Sequence, residues 1–325
     1  MTRRLGWPPA GRRGIYASDA HSRSCAPRRG NSAASKDSHL APRTILHHRA
    51  GFNTADHLEA CIAALQALEW PQEDHEIILV DNGSTDRSPE ILAATRGVRV
   101  FHEQKRGSYA ARNLGARESQ GEVLVFTDSD CFPDPGWLRE IDDALSATEV
   151  HLVLGAREAV GAGGLIQMLA EYEESKNEYV FSSHIPRLYY GFTNNLAVRR
   201  SIFEQYGPFA DRPRGADTIF VRRVVDVEGC RSVAYHRGIR VVHAEMDGLW
   251  TYCLKVFTYG RSRQLYRHIS TTQPLTLAER RSVLRACLRN KRYPWWRQAA
   301  LFGGLAAGAV AWHLGSVVGR LRTPS

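Results

Sequence analysis

The stretch GEVLVFTDSDCFPDPGW, residues 121–137, decides the fold of the chain. Its apolar run, residues 123–126, predicts a strand that is buried on both faces. The run ends at Asp128 and Asp130, two carboxylates one residue apart. Strand residues i and i+2 point the same way, and the carboxyl ends of strands form the ligand-binding edge of open α/β sheets. The pair therefore indicates either a site for Mg²⁺ or Mn²⁺ or a polar turn that closes the strand.

The first half of the chain alternates predicted strands and helices, and each strand ends in a polar loop. Short apolar runs predict strands at residues 76–80, 98–101 and 123–126, with helices between them. Asp56 and Glu59 form a capping-box pattern at the start of the first helix. This alternation predicts an α/β protein with a doubly wound, mostly parallel sheet and flanking helices.

The N-terminal part of the chain fits this pattern less well. Residues 44–52 are expected to form the first strand, but only Ile45 and Leu46 are apolar before a run of histidine and arginine. That strand is therefore predicted to be weak. Residues 1–43 are rich in Arg, Ser, Pro, Ala and Gly and show no apolar periodicity. They are expected to be a disordered or non-native N-terminal extension.

The second half of the chain is more irregular. Strands are predicted at residues 152–155, 191–199, 232–235 and 239–242, the last two at a sheet edge, and helices at residues 165–181, 217–228, 247–270 and 275–292. The six cysteines show no CxxC or Cys/His pairing, so they indicate reduced residues of a cytosolic domain rather than a zinc site.

The formal charge of +9 is unevenly distributed. Residues 1–50 carry +8 and residues 280–325 carry +9, which leaves −8 for the body between them. An acidic body argues against a nucleic-acid groove, and basic ends favour contact with an anionic membrane.

A C-terminal stretch, residues 298–319, is uncharged and close to the roughly 20 residues that cross a bilayer. Trp295 and Trp296 precede it, arginines flank it, and Gly304 and Gly308 form a small-xxx-small pattern that allows close helix approach. A membrane-associated segment is expected. A re-entrant, interfacial or soluble alanine-rich helix remains an alternative.

Several ordered blocks between residues 52 and 270 resemble the family-2 nucleotide-sugar glycosyltransferases of GT-A fold. They are DNGSTD (81–86), AARNLGA (110–116), FTDSDC (126–131), TNNLAVRR (193–200), GADTIFVRR (215–223) and VVH (241–243). The resemblance implies a GT-A domain over residues 44–270, followed by basic C-terminal helices over residues 271–325.

The resemblance also assigns donor-side residues. Nucleotide binding is implied for Asp81, Asn82, Arg112, Asn113 and Asp128, and binding of Mn²⁺ or Mg²⁺ for Asp130, Asp128 and His243. A carboxylate can accept the N–H groups of a uracil or guanine base, and a guanidinium fork suits a diphosphate. Asp86 matches the last acid of its block, but it fits equally well as a helix N-cap.

The resemblance further implies that Asp217 is the catalytic base that takes the proton of an acceptor hydroxyl. Ala216 stands where the family usually has Glu, and the first strand lacks the family's usual base-contacting turn. Acceptor contacts are expected from Asn195, Arg214 and Tyr189. The Gln-x-x-Arg-Trp motif of processive synthases is absent, which favours transfer of single sugars.

The expected function is inverting transfer of a sugar from a UDP- or GDP-sugar to the hydroxyl of a glycan or lipid-linked acceptor, in cell-surface glycan or polysaccharide synthesis. The expected location is the cytoplasmic face of the inner (plasma) membrane, through the C-terminal segment. Two alternatives remain: a degenerate scaffold without activity, and a nucleotidyltransferase, which would want a glycine-rich, lysine-containing phosphate loop.

Overall fold

The computed structural model describes the backbone of residues 44–50 and, with side chains, residues 53–159, 164–244, 248–263 and 272–322. The predicted N-terminal extension, residues 1–43, lies outside the described residues. Residues 51 and 52, at the end of the predicted first strand, also lie outside them.

Eight strands in this part of the chain form one mixed sheet. They are β1 (Thr44–Ala50), β2 (His75–Asp81), β3 (Arg99–His102), β4 (Val123–Asp128), β5 (Cys131–Pro133), β6 (Leu152–Ala159), β7 (Asn195–Arg199) and β8 (Val233–His243). Their order across the sheet is β3-β2-β1-β4-β7-β6-β8-β5. Strands β1 to β4 are parallel, β7 runs antiparallel between β4 and β6, and β8 is parallel to β6 and antiparallel to β5. The predicted α/β class with a mostly parallel, doubly wound sheet is confirmed.

Ten α-helices in the described residues surround this sheet. They are α1 (Ala55–Gln66), α2 (Ser88–Ala94), α3 (Ser108–Glu118), α4 (Trp137–Leu145), α5 (Leu165–Ser182), α6 (Arg200–Tyr206), α7 (Ala216–Glu228), α8 (Leu249–Arg263), α9 (Leu277–Lys291) and α10 (Trp295–Arg322). Strand β5 and helix α6 are absent from the predicted elements, because each is too short to show a periodic pattern.

The composition of the first strand predicts that it is weak, but β1 lies inside the sheet, between two other strands. β1 pairs in parallel with β2 on one side and with β4 on the other. The ladder on each side satisfies its backbone N–H and C=O groups, so pairing rather than apolar side chains determines this strand. The register places Ala50 opposite Asp81 and Arg49 opposite Asp128. Both aspartates therefore reach the carboxyl edge of the sheet at nearly the same level.

The sheet separates two apolar layers because strand side chains alternate between its faces. Ile78, Val80 and Phe126 pack on one face with residues of α3, α6 and α7. Ile77 and Val125 pack on the other face with residues of α1, α2 and α4. A third apolar cluster joins α5, α8, α9 and α10.

Two local predictions are wrong. The capping box of Asp56 and Glu59 does not form, since α1 has Thr54 as its N-cap and no side chain of the cap residue accepts a hydrogen bond. The Asp86 carboxylate accepts the N–H of Ala55 at 3.0 Å instead. The two predicted edge strands at residues 232–235 and 239–242 form one strand, β8, which pairs on both sides.

Candidate functional site

The site is built at the carboxyl ends of β2, β4 and β8, where the strands give way to polar loops. Asp128 ends β4, and its carboxylate accepts a hydrogen bond from the Arg112 guanidinium of α3. Arg112 is only 3% exposed, and it also lies over the ring of Tyr109 at 5.4 Å. Burial alone would lower the pKa of Arg112, but the charges of Asp128, Tyr109 and Asp217 raise it. This ion pair fixes the orientation of the Asp128 carboxylate.

Asp130, two residues further on, faces His243 at the end of β8. Pairing of β5 with β8 brings Cys131 opposite His243, and His243 Nε2 lies 3.3 Å from Asp130 Oδ2. The two side chains remain 24% and 11% exposed, so a ligand can reach them. Burial raises the pKa of Asp130, but contacts with His243 and the positive charge of Lys255 on α8 outweigh it and hold that pKa well below its usual range. Asp130 is therefore ionised at neutral pH.

The donor set at this point fits a hard divalent cation. One ligand atom each from Asp130, Cys131 and His243 lie within 4.8 Å of one another. Burial, with the charges of Asp130 and Asp128, raises the pKa of the Cys131 thiol well above its usual value, so the neutral sulfur is a poor ligand. A carboxylate and an imidazole beside a free approach for phosphate oxygens suit Mn²⁺ or Mg²⁺. Asp128 does not join this cluster, so the two aspartates of the motif have different partners.

Asp217 lies in the first turn of α7, behind Gly215, which adopts φ +81° as the N-cap. Asp217 Oδ1 accepts the N–H of Thr218 at 2.7 Å, and the Tyr109 hydroxyl also bonds to this carboxylate. Burial raises the pKa of Asp217, and Asp128 adds to the effect, while Thr218, Arg112 and Tyr109 oppose it. A carboxylate with a raised pKa is a stronger base than an ordinary aspartate.

The neighbour of Asp217, where the resemblance leads one to expect a second carboxylate, lies in the apolar core. Ala216 is fully buried in the apolar layer that contains Phe220 and Val221. Its side chain therefore faces the core and not the cleft.

The loop after β2 is held by its own polar residues. Asp81 Oδ1 accepts the N–H of Ser84 at 3.2 Å, and Asp81 is 5% exposed at the strand end. Asn53, with φ +57°, accepts the N–H of Thr85 at 2.9 Å. The Asp86 carboxylate bridges the N–H groups of Ala55 and Ser88, each at 3.0 Å. Asp86 is not the N-cap of α2, which is Arg87, but its carboxylate accepts the N–H of the first residue of both α1 and α2.

Two of the residues expected at the nucleotide are committed to the backbone instead. Asn82 Nδ2 donates to the carbonyls of Glu103 and Lys105 at 2.9 and 2.8 Å, and its Oδ1 accepts the N–H of Gly107 at 2.7 Å. Asn113 clamps the N–H and C=O of Phe209 at 3.0 and 2.9 Å. These bonds position the loops beyond the strand ends, and the expectation that the two amides contact the nucleotide stays a prediction.

Two of the residues expected to contact the acceptor are buried and bond to other parts of the chain, so their acceptor role stays a prediction. Asn195 is 1% exposed, donates to the carbonyls of Ala156 and Ile239, and accepts from Trp137. Tyr189 is fully buried, and its hydroxyl donates to the carbonyl of Phe181 at 2.9 Å.

The third expected acceptor contact lies at the surface. Arg214 is exposed, just before α7, with its guanidinium 5.9 Å from the ring centre of Tyr259 on α8. This position leaves Arg214 available to a ligand.

Sequence reasoning missed three residues of the site. Tyr109 bonds to Asp217, Lys255 acts on Asp130, and Arg157 at the end of β6 stacks over Phe192 at 4.1 Å. Arg157 Nε is buried and has no hydrogen-bond partner among the described residues. Phe192 follows Gly191, where an added Cβ would lie 2.5 Å from the carbonyl oxygen of Asp217. Arg157 is thus connected to the backbone of Asp217 only through Phe192 and its neighbour Gly191. The only signal in the sequence was its place at a strand end.

Solved structures of similar fold define the class of protein. A mannosyltransferase of Pyrobaculum calidifontis in complex with GDP-Man and Mn²⁺ matches with a TM-score of 0.59 at 15% identity, over 89% of this chain and 92% of that one. Glucosyl-3-phosphoglycerate synthase of Mycobacterium tuberculosis, in complex with Mn²⁺, UDP and its product, matches with a TM-score of 0.51 at 19% identity, over 70% and 80% of the two chains. The fold is that of the GT-A glycosyltransferases.

Sequence comparison points in the same direction. Residues 51–207, just under half of the chain, match the model of glycosyl transferase family 2. The glycosyltransferase AglE of Haloferax volcanii is 33% identical over 181 residues, which are 54% of this chain and 59% of the relative. The putative glycosyltransferase EpsH of Bacillus subtilis is 26% identical over 162 residues, 48% of this chain and 46% of the relative. The chain thus spans about half the length of these curated relatives.

Proposed function

We propose that the protein is an inverting glycosyltransferase that moves a sugar from a nucleoside-diphosphate sugar, with UDP or GDP as carrier, to a hydroxyl acceptor. The observation that carries the proposal is the placement of acidic groups around the end of β4. Arg112 bonds to Asp128 at the end of β4, and its charge also acts on Asp217 at the start of α7. Asp130, two residues beyond Asp128, faces His243 at the end of β8.

The donor side uses the carboxyl ends of β2 and β4. Asp81 accepts N–H groups of the base, and Asp128, held by Arg112, faces the ribose. Asp130 and His243 would hold Mn²⁺ or Mg²⁺. When bound, the cation would supply positive charge against the charge that builds on the departing nucleoside diphosphate, and Lys255 would add to it through space.

The acceptor side is organised by Asp217. Its carboxylate takes the proton of the acceptor hydroxyl while the acceptor oxygen bonds to the anomeric carbon. The bond from that carbon to the phosphate oxygen breaks, and its electron pair leaves with the nucleoside diphosphate. One displacement with one base inverts the anomeric configuration. Arg214, exposed just before α7, would supply N–H groups to the acceptor.

We also propose a membrane location, at the cytoplasmic face of the plasma membrane, for a glycan or lipid-linked acceptor. The structure contains one helix, residues 295–321 of α10, that is long and apolar enough to cross a membrane by length and composition. The excess of arginine around it supports contact with anionic lipid.

Substitution of Asp217 tests the assignment of the base. With labelled UDP- and GDP-sugars and membranes as the acceptor source, Asp217→Asn should lower transfer by 10²–10⁴-fold, because general-base catalysis is lost, while donor binding measured by calorimetry stays intact. Asp143→Asn, an exposed carboxylate on α4, is the matched control and should leave transfer unchanged. Full transfer by Asp217→Asn would refute the mechanism, and absence of transfer and of donor hydrolysis in the unmodified protein would favour a scaffold.

A further inference from the structure

Helix α10 has an apolar face that no described part of the chain covers. Only 28% of its most apolar window is buried. Beyond its first turn, the exposed large apolar side chains on the helix are Phe302, Val310, Leu314, Val317 and Leu321. Trp295 and Trp296 add two exposed indoles at its first turn. A continuous surface of this kind on one helix marks a contact with lipid or with another protein.

The opposite face of α10 is already packed against the catalytic domain. An added Cβ at Gly304 would lie 2.9 Å from Leu165 of α5, and one at Gly308 would lie 2.8 Å from Tyr252 of α8. One at Gly315 would overlap the carbonyl oxygen of Phe257, also on α8. The small-xxx-small pattern that the sequence shows is therefore used within the chain.

This packing decides how the helix can meet a bilayer. α10 lies on α5 and α8, and both carry charged groups next to it: Glu171 on α5 and Arg263 on α8, whose guanidinium lies 5.7 Å from the ring centre of Trp312. A helix that crossed the bilayer in this arrangement would draw these charges into hydrocarbon, which is costly. A helix that lies along the surface buries its free face only, and the charged elements stay in water.

A basic pocket opens at the N-terminal end of the same helix. It has a volume of about 350 Å³ and is lined by Lys291, Arg292 and Arg297 together with Tyr293 and Glu171. Glu171 is already engaged by the Tyr293 hydroxyl and by Lys291 Nζ at 3.0 Å. Arg292 and Arg297 have no carboxylate partner among the described residues, and the Arg297 guanidinium lies 5.1 Å from the ring centre of Trp296. Such a site fits a phosphate group at the depth where Trp295 and Trp296 enter the interface.

Helix α9 extends the positive charge beside this pocket. The exposed arginines on α9 are Arg280, Arg281, Arg285 and Arg289. Negative lipid headgroups complement such a surface, whereas a second copy of this basic chain would be repelled.

We infer that α10 lies in the plane of an anionic membrane surface, with its Phe302–Val317 face in the lipid and the pocket of Lys291, Arg292 and Arg297 on a lipid phosphate. The inference rests on the membrane association proposed above and specifies its geometry. Lys255 of α8 acts on Asp130, and α8 packs on α10, so this geometry places the cleft one helix away from the membrane surface.

Vesicle flotation of the full chain tests the contact. Vesicles with 30% phosphatidylglycerol should carry the protein, and pure phosphatidylcholine should carry at least tenfold less. Val310→Asn with Leu314→Asn, and separately Arg292→Gln with Arg297→Gln, should each weaken binding at least tenfold. The matched controls are Val227→Asn, a 69% exposed valine on α7 compared with 61% for Val310, and Arg231→Gln, an exposed arginine; both should bind as the unmodified protein does.

A topology measurement separates this inference from membrane association itself. An epitope after Ser325, in inverted inner-membrane vesicles, should be digested by protease without detergent together with the catalytic domain, because both lie on one side. An epitope protected until detergent is added would show a spanning helix and overturn the in-plane geometry while leaving membrane association standing. Failure to float with any vesicle would overturn both.

Discussion

At the scale of single residues, one buried arginine, Arg112, interacts with two of the three aspartates of the candidate site. Arg112 bonds to Asp128 and stabilises the ionised form of Asp217. Asp130 turns the other way, to His243. The two aspartates of the D-x-D motif therefore have different partners, Arg112 for Asp128 and His243 for Asp130. The sequence could predict that both carboxylates lie at one edge, but their partners come from α3 and β8, which spacing along the chain does not reveal.

Tyr109 provides a test at this scale. Its hydroxyl bonds to the ionised Asp217 and so lowers the pKa of that carboxyl, which burial holds above the ordinary value of about 3.9. Tyr109→Phe should therefore raise this pKa further. The base works only when ionised, so activity rises with pH through that pKa, and the acidic limb of kcat/KM against pH should move to higher pH.

The control for this profile is Tyr206→Phe on α6, whose hydroxyl bonds to Glu228 and Gln205, outside the site. Its profile should match that of the unmodified protein. An acidic limb that stays in place, or moves to lower pH, in Tyr109→Phe would contradict the assignment of Asp217 as the base.

At the scale of elements, the sequence predicts correctly those strands whose own side chains form the core. It does not predict the place of a strand that depends on pairing with its neighbours. β2 and β4 are continuous apolar runs, and both form as predicted. β1 carries polar residues yet becomes central because β2 and β4 pair with both its edges. Asn82, Asn113 and Asn195 look like ligands in a motif, but each satisfies the backbone of a segment distant in sequence, from 21 residues for Asn82 and Glu103 to 96 for Asn113 and Phe209. Such tertiary partners leave no local pattern.

Gly155 tests the junction of these elements. It lies at the register shift between β6 and β8, where an added Cβ would overlap Asn195 Nδ2 and the carbonyl oxygen of Ile239. Gly155→Ala should lower the free energy of unfolding by about 1–3 kcal/mol, because a methyl group is forced into a filled space. Denaturant unfolding measures the change.

Gly136→Ala is the matched control, since a Cβ there meets nothing within 4 Å and φ is −83°. It should be close to neutral. Equal stability of Gly155→Ala and the unmodified protein would show that β6, β7 and β8 do not approach as closely as described.

At the scale of the whole molecule, residues from distant parts of the sequence lie at one edge of the sheet. The charge of the chain also differs between regions. Asp81, Asp128, Asp217 and His243 are spread over more than 160 residues, yet each lies at or just beyond a strand end or a helix start. The residues of the candidate site lie in the acidic body of the chain, whereas the C-terminal helices are basic. This distribution of charge is visible in the sequence. The packing of α10 on α5 and α8 is not, because a glycine pattern indicates that a helix packs closely but not which helix it packs against.

The most direct test of the central claim is calorimetric titration of UDP and GDP, with and without Mn²⁺, into the unmodified protein, Asp130→Asn and His243→Ala. Mn²⁺ should tighten the binding of one of these nucleotides at least tenfold, and both variants should lose this gain because the cation has lost a ligand. Asp143→Asn should keep it. Retention of the full Mn²⁺ effect in both variants would contradict the claim that Asp130 and His243 hold a cation on the diphosphate.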